Sequence, residues 1–260
     1  MGNEVMPAAF IGHGSPMITF ADNPITSTWR QFATRIPVPK AIVVISAHWY
    51  IHASAVTAMA RPRTIHDFFG FPEELFSFEY PAPGAPELAG EMVEVIKPTW
   101  LGLDVDSWGL DHGAWSVLAH LYPDAHIPTV QLSLNASLPF SYHYELGAQL
   151  APLRSKGVLF LASGNVIHNG QLMREEAGSK SLRERARRFD ARVSEMLTER
   201  PEAVVSLEQH DDYRLAAPTA EHFLPLLYIA GLAAAEGSTA QVLFDGPRND
   251  ALGMSAFVLE

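Results

Sequence analysis

The stretch Ala41-Ile42-Val43-Val44-Ile45-Ser46 constrains the fold more than any other part of the chain. It is continuous, apolar and largely β-branched, with no polar residue at alternate positions to meet water. Such a run suits a strand buried on both faces, so the chain must build a sheet with cover on each side. It leads directly into Ala47-His48-Trp49. A second apolar run, Pro7 to Ile11, leads into Gly12-His13-Gly14-Ser15-Pro16, and a third, Gly157 to Ser163, stops at Gly164-Asn165-Val166-Ile167-His168-Asn169. Loops beyond the carboxyl ends of neighbouring strands in an open α/β sheet converge on one crevice. His13, His48 and His168 are therefore candidates for a single site despite their separation in sequence.

The remaining pattern alternates strand and helix. Further strands are expected at Ala55–Met59, Thr129–Leu134, Ala240–Phe244 and Met254–Leu259. Helices are expected at Trp29–Arg35, Ala85–Ile96, Asp111–Leu121, Tyr142–Leu153, Leu182–Leu197 and Glu221–Ala235. This order predicts a layered α/β/α fold with a central, mostly parallel but mixed sheet. A length of 260 residues suits one large domain, and no repeat or linker divides residues 1–260. Residues 61–86 are rich in Phe and Pro and follow neither period. A long irregular stretch this aromatic is no solvated linker and is expected to cover a pocket.

Composition narrows the chemistry. There is no cysteine, so thiolate metal sites, disulfides and a Cys nucleophile are excluded, and histidines and carboxylates must hold any metal. A formal net charge of -11 argues against a nucleic-acid partner. The basic stretch Arg183 to Arg192 is interleaved with Glu184 and Asp190 and reads as a solvated helix face. No signal peptide is visible and no apolar run approaches a bilayer span; no membrane partner and a cytoplasmic location are expected.

Six of the eleven histidines lie in apolar or Gly-containing settings: His13, His48, His66, His112, His168 and His222. Neutral imidazole is the commonest metal ligand, so the chain reads as a metalloenzyme. Gly12-His13-Gly14-Ser15 lacks the Lys and the spacing of a P-loop, and no Gly-x-Ser-x-Gly nucleophile motif is present. Asp111 beside His112 either orients that imidazole or caps the following helix. Glu221-His222 falls at an expected helix start with Thr219 as N-cap; adjacent helical positions point about 100° apart, so one of the two, not both, is expected to reach a metal. His52, His120, His126, His143 and His210 read as ordinary.

Taken together, Gly12-His13-Gly14-Ser15-Pro16-Met17, Ser46-Ala47-His48-Trp49, Thr64-Ile65-His66-Asp67-Phe68, Tyr80-Pro81-Ala82-Pro83-Gly84, Trp108-Gly109-Leu110-Asp111-His112-Gly113, Ser163-Gly164-Asn165-Val166-Ile167-His168-Asn169 and Pro218-Thr219-Ala220-Glu221-His222-Phe223-Leu224-Pro225-Leu226 resemble the class III extradiol ring-cleavage dioxygenases. Within that superfamily they are most similar to the 4,5-DOPA extradiol dioxygenase-like branch. The resemblance implies cleavage of a catechol ring by O2 to a muconic semialdehyde, at one divalent metal per chain. It implies His13, His48 and His222 as metal ligands, His168 as acid/base and fourth ligand in zinc-loaded members, and His112 as a catalytic group lining the substrate pocket. Ser15, Trp49, His66 and Phe68 are expected to contact the substrate, with Phe69 and Phe71 extending the apolar wall.

Other enzymes of the wider superfamily use two His and one carboxylate on iron(II). Three imidazoles instead leave the site at +2 rather than +1, and resemble zinc hydrolytic sites. Iron(II) is expected for turnover and zinc(II) in purified protein. A zinc hydrolase of amides or esters using metal-bound hydroxide is the alternative activity, and a non-catalytic metal-binding protein a third reading. A small aromatic diol and O2 are the expected partners, with Arg61, Arg63 and Arg174 the candidates for a substrate carboxylate. The sequence does not fix the oligomeric state.

Overall fold

Successive residues of one strand feed two separate cores. In β2 (Ala41–Ile51), Val43 and Ile45 enter one buried cluster while Ile42 and Val44 enter another. Side chains alternate across a strand, so a strand without polar alternates fills both sides. In the computed structural model, which describes residues 5–170, 180–245 and 252–260, β1 (Ala8–Gly12) does the same: Ala8 and Phe10 face the first core, Ala9 and Ile11 the second.

The other strands are β3 (Ala55–Thr57), β4 (Arg63–Thr64), β5 (Gly102–Asp104), β6 (Gly109–Leu110), β7 (Thr129–Asn135), β8 (Val158–Gly164), β9 (Gln241–Phe244) and β10 (Ala256–Leu259). Among the described residues, eight form one sheet in the order β5-β3-β7-β2-β8-β1-β10-β9, and β4 pairs with β6 apart from it. The central strands β7, β2, β8 and β1 are parallel, whereas β10 and β9 join antiparallel at one side and β3 meets β7 antiparallel at the other. The sheet is thus mixed, as expected. Its parallel centre brings the carboxyl ends of β1, β2 and β8 to one edge.

Helices cover both faces. The helices are α1 (Pro24–Arg35), α2 (Glu73–Phe76), α3 (Pro86–Val95), α4 (His112–Leu121), α5 (Phe140–Leu150), α6 (Lys180–Glu199), α7 (Tyr213–Ala216) and α8 (Leu224–Ala235). Residues of α3, α5, α6 and α8 build the first core, and those of α1 and α4 the second. Helix α8 is apolar around its whole circumference, and nearly all of it is buried. It lies so close to α5 that a Cβ on Gly231 would come within 2.0 Å of the Tyr144 carbonyl oxygen. Beside this crossing His143 is fully buried, its Nε2 on the Asn135 carbonyl at 3.2 Å and its Nδ1 on the Tyr228 hydroxyl at 3.1 Å.

Two helix starts differ from expectation by more than two residues. Helix α1 begins at Pro24 rather than Trp29, because Asn23 accepts from the amides of Ile25 and Thr26 while Thr26 Oγ1 accepts from the Asn23 amide. Helix α8 begins at Leu224, not Glu221, and Thr219 does not cap it. The His222 carbonyl accepts from the Asn165 amide at 2.8 Å, so it is taken by the loop after β8 and not by a helical turn. Among the described residues no helix is long and apolar enough to cross a membrane.

Buried Arg154 fastens the sheet's edge. Its Nε donates to the Met6 carbonyl at 2.6 Å, Nη2 to the Leu259 carbonyl at 3.1 Å, and Nη1 to Glu236. Buried guanidinium charge is tolerated only when its donors are filled in this way.

Candidate metal centre and substrate pocket

Each histidine arrives by a different local device. His13 follows β1 directly, its amide donating to the Gly164 carbonyl at 3.1 Å and its carbonyl accepting from Asn165 Nδ2 at 2.6 Å. His48 is not beyond the end of its strand, as the sequence suggested, but within β2. There the ladder is irregular: Ile45 pairs with Leu132 and Tyr50 with Leu134, so β2 advances five residues while β7 advances two. The excess residues bulge out of the ladder, and bulges re-aim side chains. His112 opens α4, whose N-cap is Asp111. His168 follows β8, and His222 sits in the turn before α8.

The rings of His13, His48 and His222 meet. Centroids are 5.2 Å apart for His13–His48, 5.5 Å for His13–His222 and 5.2 Å for His48–His222. Three imidazoles bound tetrahedrally to one ion at about 2.0–2.1 Å per nitrogen would place their centroids about 5.3 Å apart. His168 stacks on His222 at 3.5 Å with the planes 4° apart, and His112 lies 3.9 Å from His48. Candidate ligand atoms of His13, His48 and His112 lie within 4.8 Å of one another, as do those of His168, Glu221 and His222.

Partners at Nδ1 set the tautomers: hydrogen bonds at His13 and His222, an ion-pair contact at His48. Ser163 Oγ donates to the Gly113 carbonyl at 2.6 Å, so its contact with His13 Nδ1 at 3.0 Å is one it accepts. His48 Nδ1 faces Asp67 Oδ2 at 3.0 Å, and His222 Nδ1 faces Glu221 Oε1 at 3.4 Å. A carboxylate only accepts. All three rings therefore carry their proton on Nδ1 and present a bare Nε2. His13 Nε2 and His48 Nε2 stand 3.1 Å apart. Two unprotonated nitrogens repel at that distance unless a cation lies between them, and outer partners on Nδ1 are what metal-binding histidines usually have. The donor set fits a divalent metal ion.

Burial favours the neutral form of His13, His168 and His222. It pushes the His222 imidazole down to about 3 and that of His13 well below the usual range, with the neighbouring histidines adding to the His13 shift. Burial also lowers His168, against the pull of Glu221. His48 goes the other way: burial opposes its charge, but Asp67, Asp111 and Glu221 together raise it. Glu221 is held down to about 2; burial opposes this, but His222 and Thr219 outweigh it.

A cavity of about 300 Å³ opens on this cluster, lined by Ser15, His13, His48, His112, His168 and His222 among others. Size alone does not pick it out. A cleft of about 270 Å³ lined by Val5, Phe32, Arg35, Leu243, Val258 and Glu260 is comparable but holds no histidine. Of the residues expected to touch substrate, Ser15 lines the cavity, and Phe68 abuts His112 edge-on at 5.7 Å. The others are placed elsewhere. Trp49 is buried, stacks on Trp108 at 5.7 Å and does not line the cavity. His66 gives its Nε2 to the Phe78 carbonyl at 2.9 Å and packs within the aromatic loop. Phe69 is 91% exposed, and Phe71 packs against Phe68 rather than the cavity. The 61–86 segment thus flanks the site through Asp67 and Phe68 and does not roof it. Arg63 donates to the Ser107 carbonyl, Arg61 is exposed, and neither lines the cavity; Arg174 lies outside the described residues.

Asp111 proves to be a cap. It accepts from the Ala114 amide at 3.2 Å, Ser46 Oγ at 2.7 Å and Gln131 Nε2. The group that orients His112 is Asp67, which nothing in the sequence singles out beside His66. Its Oδ1 accepts from the His112 amide at 3.0 Å and from His112 Nδ1 at 2.9 Å. Ser163, on the His13 ring, was also missed: a serine closing a buried strand carries no signal of its partner.

Comparison with known proteins points the same way. The family described as the catalytic LigB subunit of aromatic ring-opening dioxygenase matches residues 7–258. The chain is 46% identical over 235 residues to a 4,5-DOPA dioxygenase extradiol of Escherichia coli, covering 89% of this chain and 86% of that one. It is 38% identical over 257 residues to the protein of the same name from Beta vulgaris, covering 94% and 93%. A crystal structure of an uncharacterized Escherichia coli protein superposes with a TM-score of 0.83 at 39% identity, covering 98% of this chain and all of the other.

Proposed function

The chain belongs to the LigB family of aromatic ring-opening dioxygenases, and on that premise we propose that it opens a catechol ring beside the diol to give a muconic semialdehyde. His13, His48 and His222 hold the metal in this reading, one ion per chain. The observation that carries it is the triangle of three imidazoles, each with Nδ1 engaged and Nε2 bare, on the wall of a cavity of about 300 Å³. That volume is at the small end of ligand sites, as a single-ring diol requires. Iron(II) is the working metal and zinc(II) the ion expected after purification, since zinc outcompetes iron(II) at nitrogen sites.

Iron(II) bound there supplies the electron path between catechol and O2. The chain's own residues do the rest. No described residue hydrogen-bonds the His168 ring, which stands at the cavity wall with its charge disfavoured by burial. It is a neutral base able to take a proton from a catechol hydroxyl and return it later. His112, with Nδ1 held by Asp67, offers Nε2 as an acceptor to the diol. Phe68 stiffens His112 from the side. Fixing diol and oxygen next to each other is the larger part of the effect expected of such a site.

Relatives named 4,5-DOPA dioxygenase extradiol make DOPA-like catechols the first to assay. Protein reconstituted anaerobically with iron(II), then given such catechols and air, is expected to consume O2 and form a yellow product. No oxygen uptake with any catechol between pH 6 and 9 would sink the reading. Zinc-supported ester or amide hydrolysis in its place would revive the hydrolase alternative.

A further inference from the structure

One carboxylate serves two of the clustered imidazoles. Asp67 Oδ1 takes both the backbone amide and Nδ1 of His112, at 3.0 and 2.9 Å, while Oδ2 lies 3.0 Å from His48 Nδ1. We infer that Asp67 is a positioning residue that sets the tautomers of His48 and His112 together, so that both turn Nε2 toward the cavity. The inference rests on the metal-centre reading given above.

Asp67 is held in place independently of the histidines. Arg63 and Thr64 pair with Gly109 and Leu110. The Ile65 amide continues the ladder to the Leu110 carbonyl at 2.7 Å, and Trp115 Nε1 donates to the Ile65 carbonyl at 2.8 Å. Asp67 and His112 thus each follow a pinned backbone by two residues, and their meeting is fixed by that small ladder. An ionised carboxylate has no donor, so each facing imidazole must supply the N–H itself.

The arrangement makes Asp67→Asn informative. An amide offers one acceptor and one donor. Two donors of His112 claim the Oδ1 position, so the amide NH2 falls opposite His48. His48 must then carry its proton on Nε2, the nitrogen meant for the metal. His112 keeps its native tautomer. A change of shape as small as O to NH2 would disable one ring and spare its neighbour, as replacing a carboxylate by its amide does when it fixes a catalytic imidazole.

Two measurements test this. Long-range ¹H–¹⁵N spectra of the metal-free wild-type protein should show Nδ1–H tautomers for both His48 and His112; an Nε2–H form of either overturns the inference without any variant. In Asp67→Asn, His48 alone should switch, and cobalt(II) affinity measured against a competing chelator should fall about 10–100-fold, the usual loss when an outer partner of a ligand is removed. Unchanged affinity and an unchanged His48 signal overturn it. His13→Ala in the same assay separates the two levels. If His13→Ala loses cobalt and Asp67→Asn does not, Asp67 has no such role. If His13→Ala binds like wild type, the metal centre itself is misplaced.

Discussion

His168 and His222 share a stack but differ in what holds them. His222 Nδ1 is tied to Glu221, whereas no described residue bonds the His168 ring. A ligand is fixed from behind, and a proton carrier needs a free edge. His168→Gln is accordingly expected to lower turnover by about 10²–10⁴ while metal content, measured by elemental analysis, stays near wild type. Parallel loss of metal would make His168 a ligand instead. The residues of this cluster were legible because imidazoles beside strand ends stand out in a chain without cysteine. Their supports were not: Asp67 and Ser163 act through contacts that join loop 61–86 to α4 and β8 to β1, and no spacing in the sequence records them.

Long apolar runs gave β1, β7 and β8 to within a residue and the start of β2, since burial on both faces leaves little freedom in composition; β2 runs on to Ile51, through the irregular stretch that carries His48. Strands β5 and β6, of three and two residues, were invisible because so few positions establish no period. The start of α8 was misplaced for a tertiary reason, the hydrogen bond from Asn165 to the His222 carbonyl. Gly164 makes that approach possible. A Cβ there would lie 2.2 Å from the His222 oxygen and 3.2 Å from Pro225 Cγ. Gly164→Ala must push the turn carrying His222 away from β8, at a cost of about 1–3 kcal/mol. The expected result is a lower melting temperature of the metal-free protein together with a cobalt affinity reduced at least tenfold. Native affinity would show that His222 reaches the metal without this contact.

Across the whole molecule, the parallel centre and two covered faces followed from the alternation of strands and helices. One buried group sets a pH dependence that no pattern announced. Burial between α5 and α8 pushes the His143 imidazole down to about 4, against the pull of the Asn135 and Leu138 carbonyls. The unfolded chain binds a proton there below about 6.5, while the folded chain does so only below about 4. Between these values the unfolded state holds more protons, so stability falls as the pH is lowered through that window and changes no further from this group beneath it. His143→Gln should remove about 2 kcal/mol of the loss between pH 7 and pH 5, read from urea unfolding of both metal-free proteins. Identical pH slopes would mean that His143 is protonated in place.

Strand β1, which delivers His13, lies between β8 and β10, with Ala8 opposite Leu259. One flank of the strand that delivers His13 is therefore supplied by a segment far downstream, beyond His222. The setting of His13 depends on a strand that follows every other histidine of the cluster in the chain. The geometry of the cluster is thus set by pairing between distant parts of the chain and not by any local stretch.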